Sequence, residues 1–221
     1  MENRYWVGGT GNWSDAANHW ALTSGGIPNA ANLPTETCDV FIDTNSGFDT
    51  GGILTITSNA AYCHNFTCSS GHYYTISSPT VIPVFFVYGS FTLENGITWE
   101  FTGALQFFAT IPGNTIDMAG VDLSIIEAIH WATTGTGEWT LLSDIIAGGG
   151  TCYSQLSSGT LNANNHNITL GGEFSSTDST VRHIIMGSGT WNVGIWSIGG
   201  DNLTLDEDSS TIKCSYFNGG G

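Results

Sequence analysis

Ser158-Gly159-Thr160-Leu161-Asn162, followed by Asn167-Ile168-Thr169-Leu170, returns as Ser188-Gly189-Thr190-Trp191-Asn192 followed by Asn202-Leu203-Thr204-Leu205. Gly137-Glu138-Trp139-Thr140 is a weaker, earlier copy. The offsets, about 22 to 35 residues, are too irregular for a strict repeat and suit coils of a solenoid with loops of variable length. Each copy reads as one rung. Apolar residues alternate with Thr or Asn, so one side of each strand faces a core, and stacked rungs make that core continuous. Asn162, Asn164, Asn165 and Asn167 suit the turns, because Asn accepts left-handed backbone and can ladder from rung to rung.

Upstream the same grammar continues. Asp39-Val40-Phe41-Ile42-Asp43, Ile53-Leu54-Thr55-Ile56, Asn65-Phe66-Thr67-Cys68 and Tyr73-Tyr74-Thr75-Ile76 read as short strands, followed by residues 84–88, 91–93, 98–101, 104–108 and 115–118. They return about every 10 to 14 residues between Gly, Asn and Ser turns. The most apolar run, residues 81–88, is interrupted by Pro83 and has the length of a buried strand. Residues 123–131 are ambiguous, since Leu123, Ile126, Ile129 and His130 fit a helical face. Thr133-Thr134-Gly135-Thr136-Gly137 ends that segment. The fold class is all-β, a parallel β-solenoid (β-helix); a jelly-roll or β-sandwich shares the cadence and is the alternative.

The N-terminus differs. Tyr5-Trp6-Val7-Gly8-Gly9-Thr10-Gly11-Asn12-Trp13-Ser14-Asp15-Ala16-Ala17-Asn18-His19-Trp20 places tryptophans seven apart, yet Gly8, Gly9 and Gly11 rule out one continuous helix. A strand at residues 4–7, a glycine turn and a short helical turn capped by Ser14 would bring the three indoles onto one apolar surface. Residues 1–43 therefore read as a Trp-rich cap with the first strand, and residues 44–221 as solenoid rungs.

The chain has 221 residues, with 19 acidic against three basic, and a formal net charge of -16. A nucleic-acid backbone would be repelled. Only 10% of residues are charged, so Ser, Thr, Asn and Gly must supply the polar surface. Met1-Glu2-Asn3-Arg4 lacks the basic-then-apolar pattern of a secretory leader, and no run has bilayer length. Cys38, Cys63, Cys68, Cys152 and Cys214 form no zinc pattern and read as small core side chains, with a Cys63–Cys68 bridge open.

Chemistry-bearing groups are sparse. Asp201, Asp206, Glu207 and Asp208 are the densest acidic group, without the spacing of a calcium loop, and read as a solvated turn. His19, His64, His72, His130, His166 and His183 show no metal-ligand spacing. No nucleophile elbow or P-loop is present. Glycan hydrolysis would need two facing carboxylates, for which Asp117 with Asp122, or Glu94 with Glu100, are the candidates. A lyase would need a base from Arg4, Arg182 or Lys213, and the net acidity opposes an acidic substrate. The sequence thus assigns no catalytic, cofactor-binding or metal residue and no cofactor. The eight Trp and seven Tyr are candidates for stacking platforms for neutral sugars, but most lie in strands that need a core; Tyr73 and Tyr74, pointing to opposite faces, are the exception. Asn-x-Ser/Thr triplets at Asn12, Asn65, Asn167 and Asn202 are expected by composition alone.

The combination of Arg4-Tyr5-Trp6-Val7-Gly8-Gly9-Thr10-Gly11-Asn12-Trp13-Ser14-Asp15 with Pro34-Thr35 and Asp39-Val40-Phe41-Ile42-Asp43 resembles the N-terminal portion of a group of β-solenoid virion proteins of tailed bacteriophages. Gly159-Thr160-Leu161-Asn162-Ala163-Asn164, Val181-Arg182-His183-Ile184-Ile185-Met186-Gly187-Ser188-Gly189-Thr190-Trp191, and Leu203-Thr204-Leu205 with Ser210-Thr211-Ile212-Lys213 are similar to rungs of that group. The rungs also resemble those of secreted bacterial adhesins. The resemblance implies a non-enzymatic structural or adhesive protein on the virion surface, as capsid decoration or tail-fibre component. Its implied partners are other virion proteins and further copies of the chain, first as a homotrimer, without nucleic acid or membrane insertion. The alternatives are a carbohydrate-binding host-attachment protein contacting cell-surface glycan, a glycan-cleaving tailspike, and an adhesin secreted or held at a cell surface. The rung pattern also leaves an unpaired edge near Cys214 for a continuing chain or partner subunit to cover.

Overall fold

A computed structural model describes residues 1–57, 61–79, 82–131 and 137–219. The chain winds as a parallel β-solenoid of about 7 turns with 3% helix. A long sheet stacks Glu2–Trp6, Cys38–Asp43, Phe66–Ser69, Phe91–Thr92, Asn114–Asp117, Glu138–Leu141, Gly159–Asn162, Arg182–Ile185 and Leu203–Asp206 in parallel. A broad sheet stacks Ala61–Cys63, Val84–Val87, Ala104–Phe107, Ala128–Trp131, Tyr153–Leu156, Ile168–Ser176, Thr190–Ile198 and Thr211–Gly219, with Ile145–Ala147 also paired to Ile168–Ser176. A short sheet of Gly11–Asn12, Ile53–Thr55, Thr75–Ser77 and Thr98–Glu100 forms a third side in the N-terminal half. The parallel stacking excludes the jelly-roll and sandwich alternatives, which rest on antiparallel pairs.

Strand alternation places the core inside the coil. In Cys38–Asp43 the side chains of Val40 and Ile42 are buried, while Asp39 and Phe41 face outward. Coil after coil repeats this in register, as in Val40, Phe66, Phe91, Ile116 and Leu141 on the long sheet. Ala61, Phe85, Leu105 and Ile129 do the same on the broad sheet. The result is one contiguous core from Trp6 to Trp196.

The repeated Ser-Gly-Thr motif is not one rung recurring. Gly159–Asn162 lies in the long sheet and pairs with Arg182–Ile185, whereas Thr190–Ile198 lies in the broad sheet and pairs with Ile168–Ser176. The copies mark two different corners, half a coil out of phase. Their glycines differ in purpose. Gly159 adopts φ +80°, open to residues without a side chain. At Gly189 a Cβ would lie 2.1 Å from the His166 carbonyl oxygen, so the neighbouring coil leaves no room. By contrast, the weaker copy at Glu138–Leu141 is a true neighbour, with Trp139 in register with Leu161.

The N-terminal end is closed. After Glu2–Trp6, the chain returns through the helical turn Ala16–His19 to Trp20–Ala21, which pairs antiparallel with the first strand. Trp20 meets Trp6 edge-on at 5.0 Å and Trp13 at 4.8 Å, so the three indoles converge as expected. The Trp6 indole N–H donates to the Gly9 carbonyl and that of Trp20 to the Trp13 carbonyl, both at 2.7 Å. Each buried indole contributes roughly 4–6 kcal/mol of transfer free energy as an upper bound. The cap of the helical turn is Asp15, not Ser14: the Asp15 carbonyl accepts from the Asn18 and His19 N–H groups. Ser14 instead donates to the Asn12 side chain.

The C-terminal end is open. Leu203, Leu205, Ile212 and Cys214 pack on the core but stay partly exposed, and Phe217, in register with buried Trp196, is 58% exposed. Thr211–Gly219 is the last strand of the broad sheet, and among the described residues no strand pairs with its outer edge.

Residues 123–131 are no helix. Ala128–Trp131 is a strand, preceded by a turn in which the Ile126 N–H donates to the Leu123 carbonyl, and turn and strand both aim apolar side chains inward. Five strands, Gly11–Asn12, Trp20–Ala21, Ala61–Cys63, Ile145–Ala147 and Tyr153–Leu156, were not anticipated, most being too short to show an alternating pattern. All five cysteines are free, so Cys63 and Cys68 form no bridge. Val81, residues 133–136, Gly220 and Gly221 lie outside the described residues. Among the described residues, no helix is long and apolar enough to cross a membrane.

Candidate functional site

The outer face of the broad sheet departs from the Ser/Thr/Asn surface elsewhere. Val84–Val87 buries Phe85 and Val87, and by alternation turns Val84 and Phe86 outward. Tyr62 of the preceding coil is in register with Phe86, and their rings stack at 4.9 Å with planes 12° apart. Tyr88 and Phe108 continue the patch: Phe108 lies 5.6 Å from Tyr88 and 5.8 Å from Phe86. The four rings are partly exposed and span three coils. Ring separations this large mean offset packing rather than full overlap.

Polar groups extend this column. Phe86 is in register with Gln106, Gln106 with His130 and His130 with Gln155. Gln155 donates to Asp178 at 3.0 Å. His130 packs edge-on against Tyr153 at 5.5 Å, and burial lowers its pKa. The Tyr88 phenol is pushed up by burial, then by Glu36 and Tyr62, which places a carboxylate beside the ring patch.

The corners are held by side-chain ladders. Asp39 accepts from the Asn65 amide at 2.8 Å, Asn65 from the Ser90 N–H at 2.7 Å, and Ser90 Oγ from the Thr115 N–H at 3.0 Å. A second ladder runs from Asp144 to Asn167 to Thr190, each step 2.9 Å. Asn164 and Asn165 take left-handed φ of 49° and 69°, the role expected of them. Four histidines reach across coils: His64 to Asp39, His72 to Asp49, His166 to Asp144 and His183 to Asp206, at 2.8–3.3 Å. His19 stacks on Trp6 at 4.5 Å.

The candidate carboxylates serve the backbone. Asp117 accepts from the Ala119 N–H, Asp122 from the Ser124 N–H, and Glu94 from the N–H groups of Ser70 and Gly71. Glu100 is exposed on the short sheet. Of the acidic turn, Asp206 is held by His183 and Asp208 sits at φ 44°. Among the described residues, no three His, Cys, Asp or Glu are placed to hold a metal ion.

Arg182 is a staple rather than a base. It is fully buried, and its guanidinium donates to the carbonyls of Ser176, Thr180, Gly199 and Asp201 and to Ser176 Oγ. Burial lowers its pKa, with Asp178 acting the other way. Arg4 is 7% exposed and pairs with Glu2 at 2.7 Å beside a cavity of about 460 Å³ that Asn3, Leu22 and Asn32 also line. Lys213 is exposed on the last strand. Tyr73 is 78% exposed, while Tyr74 is buried and stacks on Phe48 at 4.4 Å, the opposition expected of adjacent residues.

The aromatic patch was missed because its residues were assigned to the core as a class. One signal was present. In Val84-Phe85-Phe86-Val87-Tyr88 an extended chain cannot turn five successive apolar side chains inward, so Phe86 or its neighbours must face out. Comparison with protein-family models, with curated proteins and with solved structures found no significant match.

Proposed function

We propose that this chain is a non-enzymatic structural and adhesive protein of a particle surface, with a tailed-phage virion as its setting, in capsid decoration or a tail fibre. The observation that carries the reading is one contiguous core running through the stacked coils from Trp6 to Trp196, covered at its first coil by three converging indoles. A stack so built resists local opening, which suits a structural part of a particle surface. Three of the four candidate carboxylates are engaged as turn acceptors, which favours a structural role over glycan cleavage. The setting itself rests on the N-terminal resemblance.

The test is to label intact phage particles with an antibody raised against the recombinant chain and image them. Label at regular capsid or tail positions supports the reading. Particles of phages that encode the chain, free of label and of the chain by mass, would overturn it.

A further inference from the structure

We propose that the outward rings of Tyr62, Phe86, Tyr88 and Phe108 form a platform for an extended, neutral oligosaccharide lying along the solenoid axis. This rests on the adhesive half of the function proposed above and names its ligand class. Four arguments carry it.

The first is cost. The long sheet carries one outward ring pair, Tyr5 with Phe41, before its column turns to Thr67 and Thr92, whereas here four partly exposed rings gather over three coils, so apolar surface is left in water without serving the core. The second is periodicity. Tyr62 and Phe86 lie in register on adjacent coils, 4.9 Å apart at the strand spacing of about 4.8 Å, and Tyr88 with Phe108 repeats the step one coil on, beside the column that Gln106 continues, at 5.6 Å. A platform that repeats along an axis fits a ligand that repeats along it, and one coil is comparable to one pyranose ring. A globular protein partner offers no such repeat.

The third is chemistry. Aromatic faces pack on the C–H faces of sugars, while the hydroxyls of Tyr62 and Tyr88 and the amide of Gln106 supply donors and acceptors beside them. The fourth is charge. Glu36 acts on Tyr88, Asp39 holds His64 next to Tyr62, and the chain carries a net charge of -16. Sulfated, phosphorylated or uronate polymers would be repelled, leaving neutral sugars.

The test uses the full chain, calorimetry and six-residue oligosaccharides: cellohexaose and chitohexaose as neutral, extended probes, maltohexaose as a neutral, coiled one, and hexagalacturonate as an anionic one. Binding of an extended neutral probe is expected, stronger than that of its disaccharide. One aromatic contact is worth about tenfold in affinity, so Phe86→Ala and Phe108→Ser should each weaken binding by about that factor. Tyr73→Ala, exposed on another part of the coil, should not change it. Thermal melting of each variant separates lost folding from lost binding, and Tyr88→Gln, which removes a ring that is already partly solvated, provides a second folded variant.

Failure of every neutral hexasaccharide to bind at millimolar concentration would overturn the proposal. So would preference for hexagalacturonate, equal affinity in the folded Phe86, Phe108 and Tyr88 variants, or a dimer of this chain that depends on the same rings and binds no sugar. Particles that label while the chain binds no sugar would overturn the platform and leave the structural reading standing. Sugar binding by a chain absent from particles would do the reverse.

Discussion

The two ends of this solenoid solve the same problem in opposite ways. Every coil depends on its neighbours to bury one side of its core and pair its strand edges, so a terminal coil lacks half its partners. At the N-terminus the chain folds back on itself: Trp20–Ala21 pairs antiparallel with the first strand, and Trp6, Trp13 and Trp20 are each at most 1% exposed. At the C-terminus nothing among the described residues covers Thr211–Gly219, and Tyr216 and Phe217 are 61% and 58% exposed. The difference teaches that local stability here is set by what lies beyond a coil rather than by its own composition. Trp196 and Phe217 occupy successive inward positions of one column, yet one is fully buried and the other mostly wet.

The contrast can be broken most forcefully at the closed end. Trp20→Ala removes an indole that packs edge-on with two others and caps the Trp13 carbonyl, and should cost about 3–5 kcal/mol in urea unfolding. The same kind of truncation at the open end, Phe217→Ala, should cost less than about 1 kcal/mol, because its side chain is largely solvated already. Equal losses at the two positions would contradict the comparison.

Next in size is Arg182→Met. It leaves the carbonyls of Ser176, Thr180, Gly199 and Asp201 without that donor and should destabilise by about 2–4 kcal/mol, loosening the last coils first. Proteolysis confined to the C-terminal coils of the variant is the expected readout.

Asp144 sharpens the contrast through pH. Burial pushes its carboxyl up, but the side-chain and backbone N–H groups of Asn167, with His166, outweigh that and hold it below its ordinary 3.8. A carboxyl depressed on folding contributes stability above its unfolded pKa and loses it as pH falls through the folded value. Asp144→Asn should therefore flatten the acid limb of the stability curve below about pH 4, at a cost of about 1 kcal/mol near neutrality. An unchanged acid limb would remove this ladder from the account.

The smallest effect is chemical rather than energetic. Burial pushes the thiols of Cys63 and Cys68 well up and that of Cys152 up to about 12, whereas Cys214 sits in the open last coil. Native protein should react with a thiol reagent at Cys214 first. Prior labelling at Cys63 would show that the middle coils open as readily as the last.

Much of this architecture was legible because the solenoid uses local rules. Cadence marked residues 39–43, 91–93 and 98–101 as strands, and the asparagines at 164 and 165 announced left-handed turns. What was not legible depends on the neighbouring coil. The two Ser-Gly-Thr copies read as one rung because Gly159 and Gly189 are the same letter, although one answers a backbone angle and the other a carbonyl on the next coil. The outward rings failed for a related reason. Tyr62, Phe86 and Phe108 are far apart in the chain, and only the register of successive coils brings them into one patch. Arg182 likewise gave no sign that it would be enclosed by carbonyls from two separate segments, residues 176–180 and 199–201.

The central claim is a single stack of coils, covered at its first coil by Trp20–Ala21 and without such a cover on its last coil among the described residues, and segment-resolved amide hydrogen exchange of the full chain tests it most directly. Exchange should be fastest in Leu203–Asp206 and Thr211–Gly219, slower in Thr190–Ile198, and slowest from Cys38–Asp43 through the middle coils, with Glu2–Trp6 protected by its antiparallel partner. Fast exchange of Glu2–Trp6 together with protection of Thr211–Gly219 would reverse the ends and contradict the account.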